Sequence, residues 1–425
     1  MRCSGRRQWT KATEVEGQVP GQTRVSVSGS GSAPRTRPKN RKAQIAAAAA
    51  EAFSERGYHA VGIDEIAAKV GISGPALYRH FPTKYALFVY TVNNLTQALL
   101  DASDPAVHGN DDPREQLNST MVGVIRATIE NRRRGGLYRW EGRYLVDEDR
   151  EQLRAGMRTL NLRIAEPLAA VRPELDPADV ELIAPAVLSV IASITGHRSA
   201  LSAKQIESLI LTACWSVIGV ELPVGAKGGG KKQAPERKPG LARTSKREVL
   251  LQEAVLLFYQ RGYHDVSIEE IGAAAGINAS SVYRHFASKA DLLAAAFHRA
   301  SDRLTMTLGS ALAESETPLA AVETLAKMYV EVSFGRSELL AVYFAEIGSL
   351  PDRSRTELRN IQRLNVEEWA HLCVEARPEL TIVQARFLVH AALGLVFDIG
   401  RIVHFSSENS AQARVEKLLT ATLLG

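Results

Sequence analysis

Cysteine and long uncharged apolar runs are both scarce in this chain, and each scarcity excludes something. Three cysteines in 425 residues, Cys3, Cys214 and Cys373, stand far apart with no CxxC spacing. Neither a disulfide framework nor a cysteine metal site is therefore expected. Cys214 and Cys373 fall in apolar helical stretches and read as reduced, buried thiols. No run approaches the roughly 18–20 uncharged apolar residues of a membrane span; Ala46 to Ala50 is a short helical run. The start lacks a signal peptide's apolar core, so a cytoplasmic, membrane-free protein is expected. Catalytic signatures are missing too: there is no HExxH, GxSxG or dinucleotide fingerprint. Gly228-Gly229-Gly230-Lys231-Lys232 has neither the spacing nor the preceding strand of a phosphate loop. Asp147-Glu148-Asp149 reads as a solvated charged face. The expectation is a non-enzyme without cofactor or metal.

What the chain does contain is itself, twice. Gly71-Ile72-Ser73-Gly74-Pro75-Ala76-Leu77-Tyr78-Arg79-His80-Phe81-Pro82-Thr83-Lys84 returns as Gly276-Ile277-Asn278-Ala279-Ser280-Ser281-Val282-Tyr283-Arg284-His285-Phe286-Ala287-Ser288-Lys289, 205 positions later. The same offset pairs Phe53 with Phe258, Gly57-Tyr58-His59 with Gly262-Tyr263-His264, and Arg172-Pro173-Glu174-Leu175 with Arg377-Pro378-Glu379-Leu380. Solenoid periods run about 20–50 residues, so this repeat is a duplicated domain. A net charge of +5 with 45% apolar and 23% charged residues fits a globular chain that tolerates a polyanionic partner.

Within each copy the apolar spacing predicts three short helices. In the first, Ile45, Ala48, Ala49, Ala52 and Phe53 recur at helical intervals before Gly57; a second helix runs from about Ile63 to Val70; a third starts near Pro75. A glycine turn between the last two makes a helix-turn-helix. Ala76, Arg79 and His80 share one face while Leu77 and Phe81 share another, so one face packs and the other projects. A helix that reads a DNA groove needs that division. Tyr78, Arg79 and His80 can reach phosphates or bases, and Lys84 at the next helix start can meet a phosphate. Tyr283, Arg284, His285 and Lys289 repeat the set.

The run Phe53, Gly57-Tyr58, Ile66-Ala67, Gly71-Ile72-Ser73, Leu77-Tyr78-Arg79-His80-Phe81, Lys84 and Leu87 resembles the DNA-binding head of the TetR family of bacterial transcriptional regulators. The second copy, from Phe258 to Leu292, resembles it as well. Two heads in one chain are similar to the double-headed regulators of mammalian-cell-entry lipid-transport operons in mycobacteria, and the segment from Leu137 to Leu145 looks like that group. The resemblance implies an all-α protein of two tandem units, each a three-helix head with a helical ligand-binding and dimerisation body. It implies a double-stranded DNA operator and a repressor released by a small molecule such as an acyl thioester or sterol-like lipid. Base contacts would come from Gly74, Pro75 and Ala76 in head one and from Ala279, Ser280 and Ser281 in head two, with Ser73 and Asn278 just before them as further DNA-binding residues. The first set offers apolar contact and the second hydrogen bonds, so an asymmetric operator is expected. Ser267 opens a capping box that can also face a phosphate; head one has Gly62 there.

The expected divisions are a basic tail over 1–40, heads over 41–88 and 245–293, bodies over 89–221 and 294–425, and a linker over 222–244. The tail reads either as solvated chain or as an arm on DNA. A polar loop is expected over 107–112. Apolar helices at about 178–193 and 204–220 are candidates for a four-helix dimer contact. The linker's span of about 25–29 Å lets the second half dock on the first as a covalently joined dimer; two chains pairing is the rival. Tyr138, Trp140, Arg143 and Tyr343 are pocket candidates, although aromatics at helical spacing also serve as core.

Overall fold

The computed structural model describes residues 40–108, 111–137, 141–224, 245–406 and 410–425. Nearly all of the expected tail and of the expected linker lies outside them. Among the described residues every regular element is helical. The first half contains α1 (Arg41–Arg56), α2 (Ile63–Lys69), α3 (Gly74–Tyr78), α4 (Lys84–Ala102), α5 (Pro113–Glu130), α6 (Asp147–Val171), α7 (Pro177–Ala192) and α8 (Ala203–Ile218). The second contains α9 (Lys246–Arg261), α10 (Ile268–Ala274), α11 (Ala279–Val282), α12 (Lys289–Glu314), α13 (Pro318–Gly335), α14 (Ser337–Glu346), α15 (Asp352–Ala376), α16 (Ile382–Ile402) and α17 (Ala411–Leu424).

Each head is a small core under three helices. Ile45, Phe53, Ile66, Leu77, Leu87 and Phe88 are fully buried in the first; Leu250, Phe258, Ile271, Val282, Leu292 and Phe297 fill the second. Burying one such side chain is worth roughly 1.5–3 kcal/mol. Thr83 and Ser288 cap α4 and α12, accepting from Ala86 N at 2.9 Å and Asp291 N at 3.1 Å. Those two helices leave the heads and enter the bodies.

The bodies share one core. Leu182, Ile183, Val187, Ile210 and Val217 of the first half sit in the same apolar cluster as Leu388, Ala392, Leu395, Val415 and Leu419 of the second. α7 packs on α16 and α8 on α17, a four-helix arrangement. Polar ties cross it: Ser189 Oγ donates to Asp398 Oδ2 at 2.5 Å, and Arg414 pairs with Asp179. The repeat register also survives in contacts. Arg172 donates to Ile218 O at 2.6 Å, and Arg377 donates to Leu423 O at 2.9 Å, 205 positions on.

Two expectations need correcting and one needs completing. Pro177–Thr195 and Ile382–Ile402 are long and apolar enough to cross a membrane, although neither is an uncharged run: Asp179 and Glu181 lie in the first, Arg386, Asp398 and Arg401 in the second. In the fold they are the central bundle pair, mostly buried against each other and their neighbours. Asp147-Glu148-Asp149 forms the first turn of α6, and Asp149 accepts from Tyr85 Oη at 2.5 Å, so part of that charged face is structural. Pro105–His108 forms one helical turn, which takes the first residues of the expected polar loop.

Candidate nucleic-acid interface and effector cavity

The turn before each reading helix depends on glycine. Gly71 and Gly276 both hold φ at +67°, a left-handed conformation that costs other residues energy. Leu77 and Phe81 anchor α3 inward, Val282 and Phe286 anchor α11, and the opposite edge is open. Tyr78 is 48% exposed and Tyr283 is 53% exposed. Arg79, His80, Arg284 and His285 are exposed beside them, as are Ser73, Pro75, Asn278 and Ser280; Ala76, Ala279 and Ser281 are half-buried. The same three polar side chains therefore project from the same edge of both heads.

Several expected contact residues are placed otherwise. Gly74 is buried against α2, and a Cβ there would collide with Asp64 Oδ1. The missing side chain lets the two helices approach closely. Lys84 turns inward, donating to His59 O at 3.4 Å with Nζ 4.6 Å from the Tyr58 ring centre. Lys289 donates to Tyr263 O at 2.8 Å and Val266 O at 2.7 Å and lies over the Tyr263 ring. Burial lowers the pKa of both ammonium groups. These lysines brace the turn after the first helix. Asn278 caps α11, its Oδ1 accepting from Ser281 N and Ser280 Oγ, both at 2.9 Å. Ser267 caps α10 in a full capping box, accepting from Glu270 N at 3.2 Å while its own N–H donates to Glu270 Oε2 at 2.8 Å. Gly62, its counterpart, provides no side-chain cap.

A cation pair was missed by sequence reasoning. Lys42 and Arg247, both exposed, hold their charges over the rings of Phe81 and Phe286, at 5.4 and 4.6 Å. They occupy equivalent positions of the repeat, which was the available signal. The heads themselves meet at the turns: His59 and His264 have ring centres 4.6 Å apart. Each is the other's repeat equivalent. A cavity of about 600 Å³ lies at this junction, bounded by His59, Tyr144, His264 and Gly348.

The larger cavity, about 850 Å³, belongs mainly to the second body. Leu304, Leu308, Leu325, Val366, Tyr329 and Trp369 line one part. Arg303, Arg336, Arg355 and Arg359 line another, and the first half contributes Ser54, Glu55 and Arg56 from α1 with 195–198. Tyr343 is on its wall as expected; burial raises its hydroxyl to about 12. Tyr138 and Trp140, and the side chain of Arg143, lie outside the described residues. His197 and His390 also line this cavity, stacked across the two halves. Burial holds His197 down at about 2 and His390 at about 4, so both are neutral near pH 7. Buried Cys214 and Cys373 carry raised pKa values for the same reason and are inert thiols.

Two paired helix-turn-helix heads on an all-helical scaffold with an internal cavity define a class of bacterial regulatory proteins. The sequence model for bacterial regulatory proteins of the tetR family matches residues 45–91 and again 250–296. Each half of the chain therefore carries a DNA-binding domain of that family. The chain is 37% identical over 81 residues, 19% of its length, to the HTH-type transcriptional activator FasR of Mycolicibacterium smegmatis, spanning 37% of that protein. It is 28% identical over 130 residues, 30% of its length, to the HTH-type transcriptional repressor DhaR of a Mycobacterium species, spanning 64% of it. In both cases it covers less than two thirds of the relative. A TetR-family regulator structure from Bordetella parapertussis matches with 22% identity and a TM-score of 0.37, covering 43% of this chain and 96% of that one.

Proposed function

We propose that this protein is a DNA-binding transcription regulator whose two unlike heads, joined in one polypeptide, read an asymmetric operator. The observation that carries the reading is the repeated open edge of Tyr78, Arg79 and His80 and of Tyr283, Arg284 and His285, each backed by a buried pair. Arginine and tyrosine at such an edge position a protein on phosphates, with Lys42 and Arg247 adding charge beside them. Specificity falls to the helix starts, where Ser73, Pro75 and Ala76 in head one differ from Asn278, Ser280 and Ser281 in head two. The shared bundle core supports the view that the second half replaces a recruited partner. A small amphipathic ligand in a body would favour one packing of the scaffold and shift the heads off groove spacing. Repression is the expected sign, although one relative is an activator and the other a repressor.

Gel shifts with the DNA upstream of the protein's own gene test this reading. Salt-sensitive binding, lost when Tyr78→Ala and Tyr283→Ala are combined, is the expected result; affinity for no such duplex overturns it. Footprints with arms of unequal sequence support the asymmetric operator, and a perfect palindrome equally sensitive in both arms opposes it. Sedimentation at micromolar concentration decides between one chain and two. A second reading, in which head one has lost DNA binding, is favoured by its uncapped Gly62, and a footprint covering one arm alone would establish it.

A further inference from the structure

The 850 Å³ cavity is built from both halves of the repeat, and its lining is electrostatically one-sided. Among its described lining residues, one carboxylate, Glu55, faces six guanidinium-bearing residues, four of them from the second body. Arg56 is engaged by Glu65 and Arg355 by Asp352, whereas Arg359 forms no ion pair among the described residues. At the histidine wall, buried His197 Nε2 has no hydrogen-bond partner, a polar atom left open next to the cavity. An unsatisfied buried donor or acceptor costs roughly 1–3 kcal/mol, so a ligand that meets it gains. The apolar part, with Tyr329 and Trp369 edge to face at 5.9 Å, can take a chain or ring system but no charge. Volumes of about 300–1,000 Å³ suit ligands of drug size.

The cavity borders head one directly and connects to head two through a wall helix. Its wall helix α14 carries Tyr343 and ends at Glu346, which is 1% exposed and accepts from Tyr263 N of head two at 3.0 Å. The turn that follows, Ile347–Ser349, brings Gly348 against head one; a Cβ there would stand 3.4 Å from Arg56 O. Ser54, Glu55 and Arg56 of that same helix end line the cavity directly.

We infer that this cavity is a composite effector site for a single apolar molecule bearing an anionic group, and that its occupant acts on both heads through the end of α14 and the end of α1. The inference rests on the regulator reading above and adds to it the ligand's charge, its stoichiometry of one per chain, and the head it reaches across the repeat. The anion is a carboxylate or a phosphate-bearing thioester; both satisfy the same arginines.

The test is calorimetric titration of the full chain with decanoate, decanoyl coenzyme A and decan-1-ol. One acid or thioester per chain should bind at least about tenfold more tightly than the alcohol. Arg355→Gln with Arg359→Gln should abolish that preference, and Ser54→Trp, which intrudes from the first head, should weaken binding at least about tenfold. Binding by the acid alone or by the thioester alone identifies the source of the anion, and either supports the site. Hydrogen exchange on the unmodified protein guards against misfolded variants: the ligand should protect both the Ser54–Gly57 amides and the Tyr263 amide. Equal affinity for the alcohol, two sites per chain, or protection confined to one head overturns the inference. A chain that binds DNA but none of the three probes sinks the inference and leaves the regulator reading standing. Probe binding without DNA affinity does the reverse.

Discussion

His197 of the first half and His390 of the second lie flat on one another, ring centres 4.3 Å apart and planes 6° from parallel. Both rings stay neutral because burial disfavours their charged forms, and the surrounding Arg132 and Arg198 oppose protonation of His197 further. Arg132, anchored to Ile194 O, His197 O and Ser199 O, likewise lowers His390, while Glu367 pulls the other way.

Acid should loosen this junction. The folded pKa values lie below the ordinary 6.5, so the unfolded chain binds more protons once pH falls below that value. The stability from keeping both rings neutral is full above pH 6.5 and declines toward about 4 for His390 and about 2 for His197. Unfolding near pH 5 should take up about one proton per histidine. Denaturant titrations across this range should show a shallower dependence of stability on pH for a His197→Phe, His390→Phe protein; an unchanged slope would contradict the assignment.

The heads should respond in opposite directions to capping changes. Ser267→Ala removes a used cap and should cost about 0.5–2 kcal/mol. Gly62→Ser, at a backbone already extended and with open space around it, should gain a few tenths of a kcal/mol by completing a box with Glu65. Glu270 is held down at about 2 by the Ser267 N–H and then by Arg261. Its contribution is complete above its ordinary 4.5 and fades as pH drops toward 2. Thermal melts of single-site variants at pH 7 and pH 3 check both statements.

Two buried glycines, one in each head, should differ in tolerance. A Cβ on Gly272 would meet Ile277 O at 2.9 Å and Val282 Cγ2 at 3.0 Å. That backbone oxygen cannot yield cheaply, so Gly272→Ala should cost about 1–3 kcal/mol. At Gly74 the obstacle is the tip of the Asp64 side chain, which can rotate away. Gly74→Ala should therefore cost less, and equal losses in a denaturant series would refute the distinction.

Across the bundle, Asp179→Asn should weaken the seat of Arg414, whose side chain is 14% exposed. Removing one partner of a fully buried pair costs about 3–5 kcal/mol, and partial exposure here should reduce that. The loss should appear as lower unfolding stability of the whole chain, since the core is shared; a change limited to one half would argue against a common core.

Much of the head architecture is legible in the sequence because its determinants are local. The glycine turns, the Leu77 and Phe81 anchors and the Ser267 box are each set by residues a few positions apart. The inward turn of Lys84 and Lys289 is not legible, because a four-carbon stem can point either way and sequence does not reveal which carbonyls await it. Asp149 escapes a local reading for a similar reason: Tyr85 is 64 residues away. The cavity is hardest to foresee. Its walls come from distant segments of both halves, and His197 and His390 are 193 positions apart, off the repeat register that guides everything else. Tyr343 stands out from its aromatic character, while Arg355 and Arg359, one turn apart on α15, carry a periodic signal that only the fold makes meaningful.

Val187 of the first half and Leu395 of the second belong to one apolar core and to one polypeptide, so dilution does not separate the halves. Paired subunits part company as their concentration falls; covalently linked ones keep a fixed local concentration. Where one chain suffices, a few copies per cell would remain as fully assembled as many, and each half would be free to diverge without risk of pairing with the wrong twin.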